Sequence, residues 1–261
     1  MKRIYHWMKP MSETLKPEKK TQKAGTKDIY KNSEKRSPAS TPAIPAATVV
    51  LLRDGENGVE VLMLRKNPKI RFGGMWVFPG GRIEEADYPA DKDFTAAART
   101  AAARETKEET DIDTDPEDFI MFSQWTPPPI TERRYKTSFF AARAPEKISV
   151  TIDGGEIHEH QWINPAEALR LRDAREIDLV PPTWVTLHTL SLHQDTDTLL
   201  KHLESSPVRV YETHVSQSED GDRVVLWIGD AGYEAWDASV AGARHRLTMK
   251  KGKFIYENTV S

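Results

Sequence analysis

The segment that most restricts what this chain can fold into is residues 94–110, FTAAARTAAARETKEET. It is rich in alanine, glutamate and arginine, holds no glycine or proline, and is the strongest helix signal in the sequence. On a helix advancing 100° per residue, Glu105 and Glu109 lie about 40° apart and Glu108 about 60° to the other side of Glu105. Three carboxylates therefore share one stripe. Such crowding of like charge is unfavourable unless a cation compensates it. With no histidine or thiol among them, the group suits a hard divalent ion such as Mg²⁺ or Mn²⁺, which leaves coordination positions open to water and phosphate. Read alone, the same residues also describe an ordinary exposed helix face, with Arg104 and Glu108 as an i,i+4 pair.

Around this helix the pattern alternates between strand and helix. Ala47–Leu52 is a β-rich run, Gly55-Glu56-Asn57-Gly58 is a hairpin turn, and Val59–Leu64 supplies the returning strand. Thr137–Ala142 and Gln161–Ile163 read as strands. A second helix starts at Pro165 with Asn164 as its N-cap, and a third is expected from about Thr183 to Leu203. Val208–Val215, Arg223–Ile228 and Phe254–Tyr256 alternate as a small β unit. The order predicts an α/β or α+β layered fold. The division expected is a disordered basic tail and linker over 1–44, a main folded body over 45–204 and a β extension over 205–261.

The tail carries eleven basic and four acidic residues between Met1 and Arg36, so +7, which leaves −10 on the rest of a chain whose net charge is −3. With few apolar groups it cannot offset the entropy of ordering. It could recruit the protein as an adaptor, but the balance over the whole molecule argues against a nucleic-acid partner. Zero cysteines exclude disulfides, thiolate metal ligands and a cysteine nucleophile. No apolar run approaches the length of a membrane-crossing helix, about 18 residues. The basic start MKRIYHWMKP has no apolar stretch of signal-peptide length. These features together predict a cytoplasmic location.

Phe78-Pro79-Gly80-Gly81 lies upstream of the helix, and with it the sequence resembles the Nudix hydrolase superfamily. Its box runs Gly, five residues, Glu, seven residues, then Arg-Glu-aliphatic-any-Glu-Glu-any-Gly-aliphatic. Gly81, Asp87, Arg104, Glu105, Glu108, Glu109 and Ile112 occupy matching slots. Sixteen residues separate Asp87 from Arg104, an insertion of nine that is expected to lengthen the loop before the helix. Thr106 replaces an aliphatic residue, and Asp111 replaces the last glycine, which a left-handed helix end tolerates. The resemblance spans roughly residues 46–190. It implies a Nudix αβα sandwich with a mixed sheet, and Mg²⁺- or Mn²⁺-dependent hydrolysis of a nucleoside diphosphate linked to another group. It further implies Glu105 and Glu109 as metal ligands, Glu108 as an outer or water-mediated one, and a backbone carbonyl of Gly80 or Gly81 as a further ligand. Arg104 would orient the acids, and the general base would come either from the helix, where Glu108 and Glu109 are the catalytic acids, or from a later loop, where Glu156 and Glu159 are the candidates. Homodimers are common in the superfamily. A ligand sensor without turnover is the alternative use of such a fold, although the helix acids a sensor would be expected to lack are present.

An inserted box, with Arg65 and Gly74 upstream of it, resembles coenzyme A diphosphatases of peroxisomal type. Ile70 stands where these have a second arginine, with Arg71 beside it. On the substrate side, Trp125 in the proline-rich Gln124–Pro129 could stack on a ligand or cap the core, while Arg133 and Arg134 could reach phosphate. Trp76 reads as core packing. Glu156, His158 and His160 on one strand face read as an exposed polar face more than a zinc site, and Arg244-His245-Arg246 as a surface cluster.

Overall fold

The computed structural model describes residues 42–70, 73–129, 131, 133–250 and 252–260. The expected basic tail up to residue 41, and Arg71, lie outside the described residues. Strand β1 (Ile44–Gly55) runs into β2 (Gly58–Lys66) through the hairpin the glycines mark, with Gly55 opposite Gly58 and Gly58 at φ +99°. Short strands β3 (Trp76–Val77) and β4 (Gly80–Arg82) follow, then helix α1 (Phe94–Thr110), β5 (Ile120–Thr126), β6 (Tyr135–Arg143) and β7 (Ile157–Ile163). Helices α2 (Pro165–Asp173), α3 (Pro181–Leu190) and α4 (Thr196–Ser205) lead to β8 (Arg209–Glu212), β9 (His214–Gln217), β10 (Arg223–Leu226), β11 (His245–Lys250) and β12 (Lys253–Asn258).

The large sheet is mixed, in the order β3-β2-β1-β6-β5-β8, with β4 added to the start of β1 and β7 to β2. β1 lies at its centre, paired in parallel with β6. Its side chains alternate between two cores, as the period of two requires. Val49 and Leu51 pack with Leu62, Leu64 and Phe140 against Ala97, Ala98, Ala101 and Ala102 of α1. Val50 and Leu52 face the other way, with Val61 and Met63, onto Leu187 and Leu190 of α3 and Leu199 of α4. Helices on both faces of a mixed sheet make the αβα sandwich the sequence predicts.

α1 begins and ends where its sequence says. The Asp93 side chain accepts Ala96 N–H at its start, and Asp111 closes it at φ +58°, in the left-handed conformation. Thr106, in the aliphatic slot, is fully buried and returns its hydroxyl to Ala102 O at 2.7 Å. The insertion is not confined to the loop. Only six of the sixteen residues after Asp87 precede α1, so at least three of the nine added ones lengthen the helix. Asn164 caps α2 as expected.

Three readings change. The single helix expected over 183–203 is two helices, because Asp195 caps a new start by accepting Thr198 N–H while Asp54 takes Thr196 N–H. The alternating run 208–215 is likewise two strands, and the first joins the large sheet beside β5. The remaining strands form a second sheet, β12-β11-β10-β9. Its Val225, Trp227, Leu247 and Phe254 belong to the same buried cluster as α3 and α4. Arg246, read as part of a surface cluster, is instead buried. It grips the fully buried carboxylate of Asp230 through two hydrogen bonds at 2.7 and 2.5 Å. A charge can be buried only when so paired.

Candidate active site

The glycine pair meets α1 at one end of β1. Gly80 sits at φ +152° with its Cα packed on β1, where an added Cβ would lie 2.7 Å from the Cα of Thr48. A Cβ at Gly81 would overlap the Glu105 carboxylate. Only glycine lets this strand approach both neighbours so closely. The approach is used at once: Gly80 N–H donates to Glu109 Oε2 at 3.0 Å.

Arg104 organises the near side. Its guanidinium forks onto Asp87 through two 3.0 Å bonds, reaches Arg82 O at 3.0 Å and holds Glu105 Oε1 at 3.0 Å and Glu108 Oε2 at 3.3 Å. Asp87, the acid in the first slot of the box, is buried. Burial raises its pKa, but the Arg104 fork and Glu84 N–H outweigh it and hold the carboxyl below its ordinary value. The same partners raise the Arg104 pKa.

Lysine organises the far side. Lys66 Nζ lies 2.6 Å from Glu156 Oε1 and 3.9 Å from Glu109 Oε1. The Glu156 loop is tied down by Asp153, whose carboxylate accepts N–H groups from Gly155, Glu156 and Ile157 at 3.2, 2.7 and 2.9 Å. Burial pushes Glu109 up to about 8, against the pull of Lys66 and Gly80 N–H, with Glu105 and Glu156 adding repulsion. Glu105 is raised as well, by burial first and then, despite Arg104, by Glu108 and Glu156. Glu105 is thus repelled by Glu108 and Glu156, and Glu109 by Glu105 and Glu156. Glu108 is more than half exposed and pairs with Arg104 at 3.3 Å.

Among the described residues, no three acidic or histidine side chains converge into a ready metal cluster, because Arg104 and Lys66 neutralise the acids pairwise. The donors nonetheless fit a hard cation. They are oxygen only, and Glu109 is a desolvated carboxylate between two like charges with a single ammonium 3.9 Å away.

These groups open into a cleft of about 650 Å³ whose lining includes Lys66, Gly80, Gly81, Glu105 and Glu156. The expected substrate residues divide around it. Trp125 and Arg133 line the cleft, as does Ile70. Trp125 is 3% exposed, however, and Tyr211 covers one of its faces at 3.7 Å, so the reading of it as a core cap and as a cleft wall both describe it. Arg134 turns to Pro127 O at 3.0 Å, and Arg65 pairs with Glu159 across β2 and β7 at 3.1 Å; neither lines the cleft. That pairing separates Glu159 from Glu156. His158 and His160 are exposed along β7, and Trp76 is in the core. Lys66, Thr137, Phe139 and Thr213 also line the cleft, and composition offered no signal for them, since they come from β2, β6 and the turn after β8.

A family model described as NUDIX domain matches residues 42–195. The fold is similar to the crystal structure of a NUDIX hydrolase from Alicyclobacillus acidocaldarius, with TM-score 0.57 and 22% identity over 65% of this chain and 100% of that one. A C. elegans Ap4A hydrolase binary complex is 19% identical, with TM-score 0.43, over 57% of this chain and 96% of that one. The NUDIX domain of Shewanella oneidensis NrtR complexed with ADP ribose is 17% identical, with TM-score 0.40, over 52% and 83%. No curated protein matches the chain.

Proposed function

The chain belongs to the NUDIX domain family, hydrolases that act on phosphorus-containing anhydrides, and from that premise we propose that it cleaves the diphosphate linkage of a nucleoside diphosphate joined to another group. One observation carries the reading: Glu105 and Glu156 line a cleft large enough for a nucleotide derivative, next to Glu109, which is buried against the Gly80 N–H with Lys66 at 3.9 Å.

In this reading Glu105 and Glu109 hold Mg²⁺ or Mn²⁺, with Glu108 reaching it through water and Gly81 through its carbonyl. The bound ion supplies neutralisation of the diphosphate and acidification of the attacking water. Arg104 keeps Glu105 in place by a charge-assisted hydrogen bond and is itself anchored on Asp87. Glu156 is the general base, its carboxylate accepting the proton of the attacking water. It lines the cleft and is presented by a loop that Asp153 holds, whereas Glu159 lies outside the cleft lining. Lys66 neutralises Glu156 and Glu109 before substrate arrives, and Arg133 supplies a cation for phosphate. The body over 45–204 carries this chemistry. Coenzyme A is one substrate to test, since Arg65 and Gly74 occupy slots of the motif of coenzyme A-active relatives, but with Arg65 held by Glu159 the set extends to ADP-ribose, dinucleotides and nucleotide sugars.

The test is a screen of these four classes with Mg²⁺ and with Mn²⁺, identifying the products. Two phosphate-bearing products from at least one class are expected. Tight binding of such compounds with no turnover in either metal would replace the enzyme by a ligand sensor.

A further inference from the structure

We propose that Lys66 is a resident cation with two opposed effects: it weakens divalent-ion binding to the free protein and strengthens binding of the diphosphate once the ion is in place. The inference rests on the metal-dependent reading of this site and adds a residue that acts on both of its ligands.

Lys66 owes its position to the end of β2. Leu62 and Leu64 pack toward α1, and the period of two puts Lys66 on the same side. The register of β7 against β2 then shifts between Arg65 and Lys66, so that Lys66 stands opposite Ile157 and His158 is passed over. A bulge of this kind re-aims the side chain beside it. Backbone bonds fix the result. Lys66 N–H donates to Met75 O at 3.0 Å, and Lys66 O accepts Gly74 N–H at 2.8 Å. Asn67 donates its N–H to Glu156 O and its Nδ2–H to Gly155 O, both at 2.8 Å. The end of the strand that carries the ammonium is thus tied to the loop that carries Glu156.

The two cations paired with the site acids differ in what else they hold. Arg104 is committed to Asp87 and to Arg82 O. Among the described residues, the Lys66 ammonium meets acids of the site alone: Glu156 at 2.6 Å and Glu109 at 3.9 Å. Its side chain is 15% exposed, so water screens its charge poorly, and it lines the cleft. Gly80 N–H occupies Glu109 Oε2 and leaves Oε1 to an ion. An ion about 2.1 Å from that oxygen stands within about 6 Å of the ammonium. Entry of a divalent ion raises the local charge even where it displaces a proton, so a fixed ammonium at that range opposes it. A diphosphate has the other sign. Its negative charges are attracted by the ion and by Lys66 together. One positive charge therefore costs affinity for the first ligand and adds affinity for the second.

The test uses the full chain as wild type, Lys66→Met, Lys66→Gln and Lys66→Arg. Calorimetry gives the Kd of Mn²⁺ for the free protein, and then the Kd of α,β-methylene-ADP, whose bridging carbon resists hydrolysis, with Mn²⁺ saturating. Lys66→Met is expected to bind Mn²⁺ about tenfold more tightly and the analogue about tenfold more weakly. Lys66→Arg, which keeps the charge, should stay within threefold of wild type on both. A purely structural role for Lys66 would weaken both ligands together, so any result for Lys66→Met other than opposed shifts overturns the proposal. If Lys66→Met does not fold, Lys66→Gln, which keeps a donor for Glu156, decides by the same criterion. Turnover of a diphosphate by wild type with both affinities unmoved in the variants removes the role of Lys66 and leaves the hydrolase reading standing. Absence of Mn²⁺ binding in all four proteins overturns the metal-dependent reading, and the proposal with it.

Discussion

Glu109 concentrates the conflict between stability and chemistry in one side chain. Its carboxylate is buried, repelled by Glu105 and Glu156, and compensated by Lys66 at 3.9 Å and one backbone N–H. A group so placed is costly to the fold when charged, so its burden is least below its ordinary value of 4.5 and grows as pH rises toward about 8. Replacing it by a neutral isostere removes that burden. Glu109→Gln is expected to melt at or above the wild-type temperature at pH 8 without added metal, while its hydrolysis falls on the order of 100-fold or more. Calorimetry beside a rate assay checks both halves; a destabilised variant with wild-type rates would contradict each. Arg104 has the opposite character. It satisfies Asp87 in a buried fork and steadies two further acids, so Arg104→Ala should cost about 3 kcal/mol in denaturant unfolding as well as activity.

Helix α1 does two jobs with two faces. Alanines at 97, 98, 101 and 102 have no side-chain bulk, so the helix lies close on β1, and that closeness brings Glu109 within hydrogen-bond reach of Gly80. The acid stripe and the alanine stripe are thus one device. Ala98, fully buried, has no room for a larger side chain. Ala98→Leu is expected to cost about 1–3 kcal/mol by forcing the helix off the sheet. The same shift should weaken Mn²⁺ binding measured by titration calorimetry, although residue 98 touches none of the acids. Unchanged Mn²⁺ affinity in a folded variant would show that the approach of α1 does not set the site.

Across the whole molecule, histidines decide how the fold responds to mild acid. His188, His193 and His245 all have pKa values lowered from 6.5, in each case by burial first; His193 is lowered further by His202, and His245 by Arg209. His188 and His245 sit among the aromatic rings that join α3 to the second sheet. The neutral form is the one that packs. Their contribution is complete above 6.5 and is lost as pH falls through the lower folded values. Asp87 and Asp230, held below 3.8 despite burial by Arg104 and Arg246, add a second loss at stronger acid. Glu109 acts in the opposite direction over this range, so the check is made in Glu109→Gln: its melting temperature should fall between pH 7 and 5, with the imidazole NMR signals of His188 and His245 titrating below 6.5. A flat melting profile over that range would contradict the packing argument.

The sequence by itself determined what depends on neighbours along the chain. The bounds of α1, its left-handed end at Asp111, the glycine hairpin and the Asn164 cap are all set by local backbone and side-chain chemistry within a few residues. The spacing of Gly81, Asp87, Arg104, Glu105, Glu108 and Glu109 was legible for the same reason. Tertiary structure decided which charged groups meet. Lys66 with Glu156, Arg65 with Glu159 and Arg246 with Asp230 come from segments that no periodicity links, and only their meeting made Glu156 a cleft residue and Arg246 a buried one. The division of 208–215 between two sheets was likewise settled at a distance, by the open edge of β5. An alternating run states that a strand has two faces; which edge takes it depends on what the rest of the chain has left unpaired.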